Sequence, residues 1–200
     1  MTRETTNIVL AGVGGQGSVL ATRVVATAAG LAGYDVVTSE VHGMSQRGGT
    51  VVTTVRFGHE VLSSAVPEGE ADFLVAFERL EAARHVGLVR EGGIAVVNDQ
   101  KIAPSIEVLK AAAYPGDLEE RASGRGVSVL VFPALRLAEE LGNARLASTV
   151  LLGALSSYLD IGREHWLEAI RRTVPPRTVE ANERAFDSGA EWLLGSVAPA

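Results

Sequence analysis

Two short stretches hold the residue types best suited to chemistry. Gly12-Val13-Gly14-Gly15-Gln16-Gly17 fits the pattern G-x-G-x-x-G, in which glycine allows positive φ, lets backbone N–H groups approach a ligand, and lets a helix start close to a sheet. An anion would then rest on the helix N-terminus, where unpaired N–H groups and the helix dipole attract negative charge. Gly12, Gly14, Gly15, Gln16 and Gly17 are therefore the candidate cofactor-binding residues, the alternative being that these glycines serve only the packing of helix on strand. The second stretch, Glu40 to Gly49, gathers Glu40, His42, Ser45, Gln46 and Arg47 among three glycines. Arg47 has the planar fork that clamps a carboxylate or phosphate, or else ties down its own loop. His42 can donate to a carbonyl or move a proton, and Glu40 has the form of a general base or a loop anchor, so Glu40, His42 and Arg47 are the catalytic candidates. Ser45, Gln46, Arg47, Gly48 and Gly49 are candidate contacts to substrate, coenzyme or partner, or satisfy their own backbone.

These residues need a scaffold, and the flanking pattern supplies one. Asn7 to Gly12 is a short β-branched run of the kind buried on both faces of a parallel sheet. Residues 17–31 place Val19, Leu20, Val24, Ala28 and Leu31 near helical spacing, with Gly33 where a C-terminal cap falls. Tyr34 to Thr38 reads as the second strand of a right-handed β-α-β unit. Ser39 to Thr50 then reads as a loop leaving the carboxyl edge, beside the glycine turn. Val51 to Phe57 is strand-like, and Gly58-His59 before Glu60 to Ser63 suggests a hairpin with His59 at its tip.

Alternation resumes with a strand at Phe73 to Ala76, a helix over 80–89 and a strand at Gly93 to Asn98. Glu78, ending the fourth strand, falls on the same edge and joins the candidate contacts. Asp99 to Gly126 reads as irregular, Val127 to Val131 as the last core strand, and Pro133 as the start of a helix reaching Leu141. Residues 143–159 are helical with few charges, and Pro175-Pro176 separates the next helix from a final one at 177–194. The expected fold is α/β: a Rossmann-like, mostly parallel sheet with a β-hairpin insertion and a helical C-terminal portion, in one domain spanning 1–200.

Composition excludes several functions. The 200 residues are 46% hydrophobic with a net charge of −6 and no Lys/Arg-rich run, which argues against nucleic acid as a partner. Cysteine is absent, so disulfides, thiol nucleophiles and thiolate-held iron–sulfur clusters are all excluded for this chain. His85 and His165 lack second ligands at metal spacing, and no metal site is expected. No apolar run is long enough for a signal core or a bilayer span, which gives a cytoplasmic protein as the expectation. A Gly-Lys-Ser/Thr phosphate loop is missing too. The acid that would hold ribose hydroxyls at the end of the second strand is poorly matched, since Asp35 lies at the wrong end and Glu40 opens a loop.

Taken together, residues 12–17 and Ser39-Glu-Val-His-Gly-Met-Ser-Gln-Arg-Gly-Gly49 closely resemble the γ domain of 2-oxoacid:ferredoxin oxidoreductases, above all the smaller subunit of the indolepyruvate type. The likeness continues through Pro67 to Asp72, Ala76 to Glu78, Val97-Asn98, Tyr114-Pro115, Leu152 to Ala154 and Val179 to Asn182. Ser148 departs from it, standing where asparagine is expected. The resemblance implies a subunit, inactive alone, of an enzyme that oxidatively decarboxylates a 2-oxoacid such as an arylpyruvate. It also implies that thiamine diphosphate, magnesium and 4Fe-4S clusters sit in a large partner subunit, that coenzyme A is the co-substrate, and that ferredoxin takes the electrons. The contrasting expectation is a stand-alone nucleotide- or dinucleotide-binding module using the same glycine turn.

Overall fold

The computed structural model describes residues 5–42, 49–102 and 117–197, with His42, Ser196 and Val197 described by backbone alone. Ser45, Gln46, Arg47, Gly48 and the Tyr114-Pro115 pair lie outside the described residues, as does the side chain of His42. The strands are β1 (Thr5–Val13), β2 (Asp35–His42), β3 (Thr50–Gly58), β4 (Ala71–Ala76), β5 (Val89–Asn98) and β6 (Ser128–Phe132). They form a 6-stranded sheet in the order β2-β3-β1-β4-β5-β6. β1, β4, β5 and β6 pair in parallel, whereas β3 pairs antiparallel with both β1 and β2.

The helices are α1 (Ser18–Leu31), α2 (Arg79–His85), α3 (Leu118–Ser123), α4 (Ala134–Glu140), α5 (Ala147–Ser156), α6 (Arg163–Thr173) and α7 (Val179–Val197). They divide into two layers because alternate strand residues face opposite sides of the sheet. Ile8, Leu10, Val55, Phe57, Val75 and Val96 pack against α1 and α4–α7, while Val9, Ala11, Leu74, Ala76, Ala95 and Val97 pack against α2 and α3. Burying each Val, Ile or Leu of these two faces contributes about 1.5–3 kcal/mol. In the helical layer, α5 and α7 approach closely enough that a Cβ on Gly153 would collide with the Phe186 carbonyl, and one on Gly189 with that of Val150. Thr149 Oγ1 donates to Asn182 Oδ1 across this contact at 2.7 Å. The two tryptophans are anchors here: Trp166 packs on Phe186 and Trp192 on Phe132, with ring centroids 5.6 and 5.1 Å apart.

The strand–turn–helix start and the C-terminal helical portion agree with the sequence, but the insertion differs. β2 does not stop at Thr38; it runs on through Glu40 to His42 and pairs with β3, so the hairpin is β2–β3 and not 51–63. Residues after Gly58 instead cross one face of β3, where Arg56 donates to the carbonyls of Ser63 and Ala65 at 2.7 and 2.8 Å. Asp35 Oδ2 accepts the Val61 N–H at 2.8 Å, giving that acid a structural task. Residues 118–123, expected to be irregular, form α3, which buries Leu118 and Ala122.

Candidate functional site

β1, β4, β5 and β6 point the same way, so their carboxyl ends share one rim, where open parallel sheets bind ligands. A cleft of about 400 Å³ opens there. It is lined by Gly15, Gln16 and Gly17 of the glycine turn, Leu20 of α1, Phe77 beyond β4, Asn98 at the end of β5, Gln100 and Ile102 beyond it, Leu135 of α4, and Ala144, Arg145, Ala147 and Ser148 at or just before the start of α5. The turn is built as its glycines require: Gly15 and Gly17 have φ of 98° and 86°, the left-handed region that other residues avoid. Gly17 caps α1 without a side-chain bond, and the first turn of α1 carries no acidic residue.

Of the candidates in the turn, Gly15 and Gly17 face the cleft, whereas Gly12 is buried against Phe77. Gly14 turns away and donates its N–H to the Gly49 carbonyl at 3.0 Å, so the glycine turn and the end of the second motif touch at this rim.

Gln16 lines the cleft, yet its amide is committed within the protein. Oε1 accepts the Val13 N–H at 2.7 Å, and Nε2 donates to Phe77 O and to Gln100 Oε1, each at 3.1 Å. Asn98, only 2% exposed, completes the network. Its Nδ2 donates to Phe77 O at 3.1 Å and to Gln100 Oε1 at 3.2 Å, while its Oδ1 accepts the Leu135 N–H at 3.1 Å. Three amides thus fasten the turn, the ends of β4 and β5, and the first turn of α4 into one floor.

Glu78 is likewise turned inward. At 1% exposure it caps α2 by accepting the Glu81 N–H at 3.0 Å, and its other oxygen accepts the Ile102 N–H at 3.1 Å. Glu40 sits on edge strand β2, exposed, in register with Thr53, and is not among the cleft-lining residues. The expectation that it opens a loop is corrected by the continuation of β2.

The electrostatics follow from this lining. Among the described residues no carboxylate lines the cleft, and Arg145 lies on its rim, exposed and without an ion pair. The N-terminus of α1 faces the opening, whereas α5 continues a 3-10 turn whose Leu146 and Ala147 N–H groups are bonded to the Asn143 and Ala144 carbonyls; Ser148, 2% exposed, lines the cleft within α5. The N–H groups that open α1, a guanidinium and a hydroxyl are groups that attract negative charge. Arg145, Ser148, Phe77 and Gln100 were not singled out as site residues from sequence. A polar Asn98 closing a parallel strand at its carboxyl end was the one local signal available.

A dinucleotide-binding arrangement is not reproduced. In that arrangement the second strand lies beside the first and brings its terminal acid to the ribose; here β3 is interposed between β1 and β2.

An α/β fold with a cleft at its carboxyl rim that no described carboxylate lines is the class that these features define. The chain belongs to the pyruvate ferredoxin/flavodoxin oxidoreductase family, whose model matches residues 7–192. It is 42% identical over 193 residues to indolepyruvate oxidoreductase subunit IorB of Pyrococcus horikoshii, covering 92% of this chain and 94% of that one. The keto/oxoacid ferredoxin oxidoreductase gamma subunit of Geobacter sulfurreducens superposes with a TM-score of 0.72 at 26% identity, covering 95% of this chain and 99% of that one. A 2-oxoglutarate:ferredoxin oxidoreductase from Magnetococcus marinus shares the fold at a TM-score of 0.74 and 23% identity; 99% of this chain matches 32% of that one. The same unit therefore occurs both as a separate chain and as about a third of a longer one. No described helix is long and apolar enough to cross a membrane.

Proposed function

We propose that this chain, one domain over 1–200, is the cluster-free subunit of a cytoplasmic 2-oxoacid:ferredoxin oxidoreductase acting on an arylpyruvate such as indolepyruvate. Its cleft receives the anionic part of coenzyme A. The observation that carries the reading is a cleft lined by no described carboxylate, where the glycine turn at the N-terminus of α1 faces Arg145 and Ser148. Phosphate groups fit such a lining; iron–sulfur clusters do not fit the chain at all, for want of cysteine. Thiamine diphosphate, magnesium and the 4Fe-4S clusters belong on this reading to a large partner subunit, which passes electrons to ferredoxin. The role of this chain is to bind and orient the acyl acceptor and to keep water from it. Arg47, Ser45, Gln46 and His42, close in sequence to Gly49, are the side chains proposed to reach coenzyme, substrate or partner.

The test is to co-express the chain with the large subunit and follow coenzyme A-dependent viologen reduction by arylpyruvates. Activity is expected only with both chains, and Arg145→Ala is expected to raise the KM for coenzyme A about tenfold while kcat changes little. Full activity without this chain, or tight NAD(H) binding by it alone, would count against the proposal.

A further inference from the structure

Glu81 lies outside the cleft, on α2, and its carboxylate is 1% exposed. A buried carboxylate is costly unless it is paired and hydrogen-bonded, and this one has partners on two elements. Oε1 accepts from Thr50 Oγ1 at 3.1 Å and from Arg84 at 2.6 Å, and the Arg84 guanidinium also reaches Thr50 Oγ1 at 3.3 Å. His85 Nε2 stands 3.5 Å from Oε2. The α2 end of the link is itself fixed, because the Glu78 carboxylate accepts the Glu81 N–H.

The other end leads to the glycine turn. Thr50 pairs with Val13, the last residue of β1, and Gly49 before it accepts the Gly14 N–H. Val13 in turn donates to Gln16, whose neighbours Gly15 and Gly17 face the cleft. A continuous path of short bonds thus runs from a buried carboxylate to the backbone that lines the anion site.

We propose that Glu81 is a positioning residue: by holding Thr50 against α2 it fixes the Gly49–Gly14 contact and so the aim of the turn's N–H groups. This rests on the proposed role of the cleft in binding coenzyme A. Glu81 touches no ligand and acts only through Thr50.

The experiment uses the complete enzyme, this chain with its large subunit, carrying Glu81→Gln, Thr50→Val or both. Each single variant is expected to raise the KM for coenzyme A between about threefold and tenfold with kcat within about twofold. The double variant should be no worse than the more impaired single, because both break one link. Wild-type kinetics in both singles, effects that multiply, or a loss confined to kcat would each overturn the proposal. Should Glu81→Gln fail to fold, Thr50→Val, which removes only a half-buried hydroxyl, decides the question. A wild-type complex indifferent to coenzyme A would instead defeat the reading of the cleft. The link is then judged by hydrogen exchange at the amides of residues 49–51, expected to quicken in Thr50→Val and overturned if it does not.

Discussion

Replacing Gln16 by alanine removes the fastening of the glycine turn without touching the glycines. Three bonds go: the one from Val13 N–H at 2.7 Å and the two from Nε2 to Phe77 O and Gln100 Oε1, each at 3.1 Å. The losses are unequal. Phe77 O keeps the donation from Asn98, and Gln100 Oε1 keeps its own bond to the same residue, so each of those groups stays satisfied. Val13 N–H is left without a protein acceptor, which costs about 1–3 kcal/mol where water replaces it imperfectly. With the two lesser bonds the total is about 3 kcal/mol, and for a chain of this size that lowers Tm by about 6–12 °C. Gln100→Ala leaves both amide donors an alternative acceptor in Phe77 O and should cost under about 1 kcal/mol. Gln16→Glu keeps the acceptor for Val13 but sets a carboxylate oxygen against two other oxygens at neutral pH, so it should fall below Gln16→Ala. Urea and thermal unfolding of the full chain give the order. Gln16→Ala within 0.5 kcal/mol of wild type, or Gln100→Ala the worse of the two, would refute the network as the support of the turn.

Gly17→Ala adds about 1–2 kcal/mol of left-handed strain and brings a Cβ to 3.1 Å from Ser148 Oγ; it should raise the coenzyme A KM more than Gly30→Ala, whose new Cβ meets nothing, as steady-state kinetics of the complex will report. Gly189→Ala drives a methyl into the Val150 carbonyl and should cost about 3 kcal/mol or more by urea unfolding. Gly195→Ala on the same helix meets nothing within 4 Å and should be neutral or slightly stabilising. Burial pushes the Glu81 carboxyl up, but His85, Arg84 and Thr50 together hold it below its ordinary 4.5. A lowered folded-state pKa adds stability above the unfolded value and loses it as pH falls through the folded one. The Tm gap between wild type and Glu81→Gln should therefore be full at neutral pH and shrink below about pH 4.5, and a gap constant from pH 7 to 3 would contradict the pairing.

Local sequence was enough for the strand–turn–helix of residues 7–31, the C-terminal helices and the class of fold, because glycine spacing, β-branched runs and helical periodicity act over a few residues. It was also enough to exclude clusters and thiol chemistry, which need only a count of cysteines. Where β3 sits was not legible: Ser39, Glu40 and His42 are polar and glycine follows, the composition of a loop. They form strand because Ser39, Glu40 and Val41 meet Thr54, Thr53 and Val52 in antiparallel register, and that pairing satisfies their backbone whatever their propensity. The duties of Gln16 and Glu78 were equally hidden. Both read as ligand contacts, but a polar side chain bonds whichever partner the fold delivers. For Gln16 those partners lie 61 and 84 residues away, and for Glu78 one lies 24 away. The cleft itself is a tertiary product, gathered from the glycine turn, the ends of β4 and β5, α4 and the start of α5. Chain separation carries no local signal, so only the packing of the helices on the assembled sheet could bring Arg145 and Ser148 to the turn.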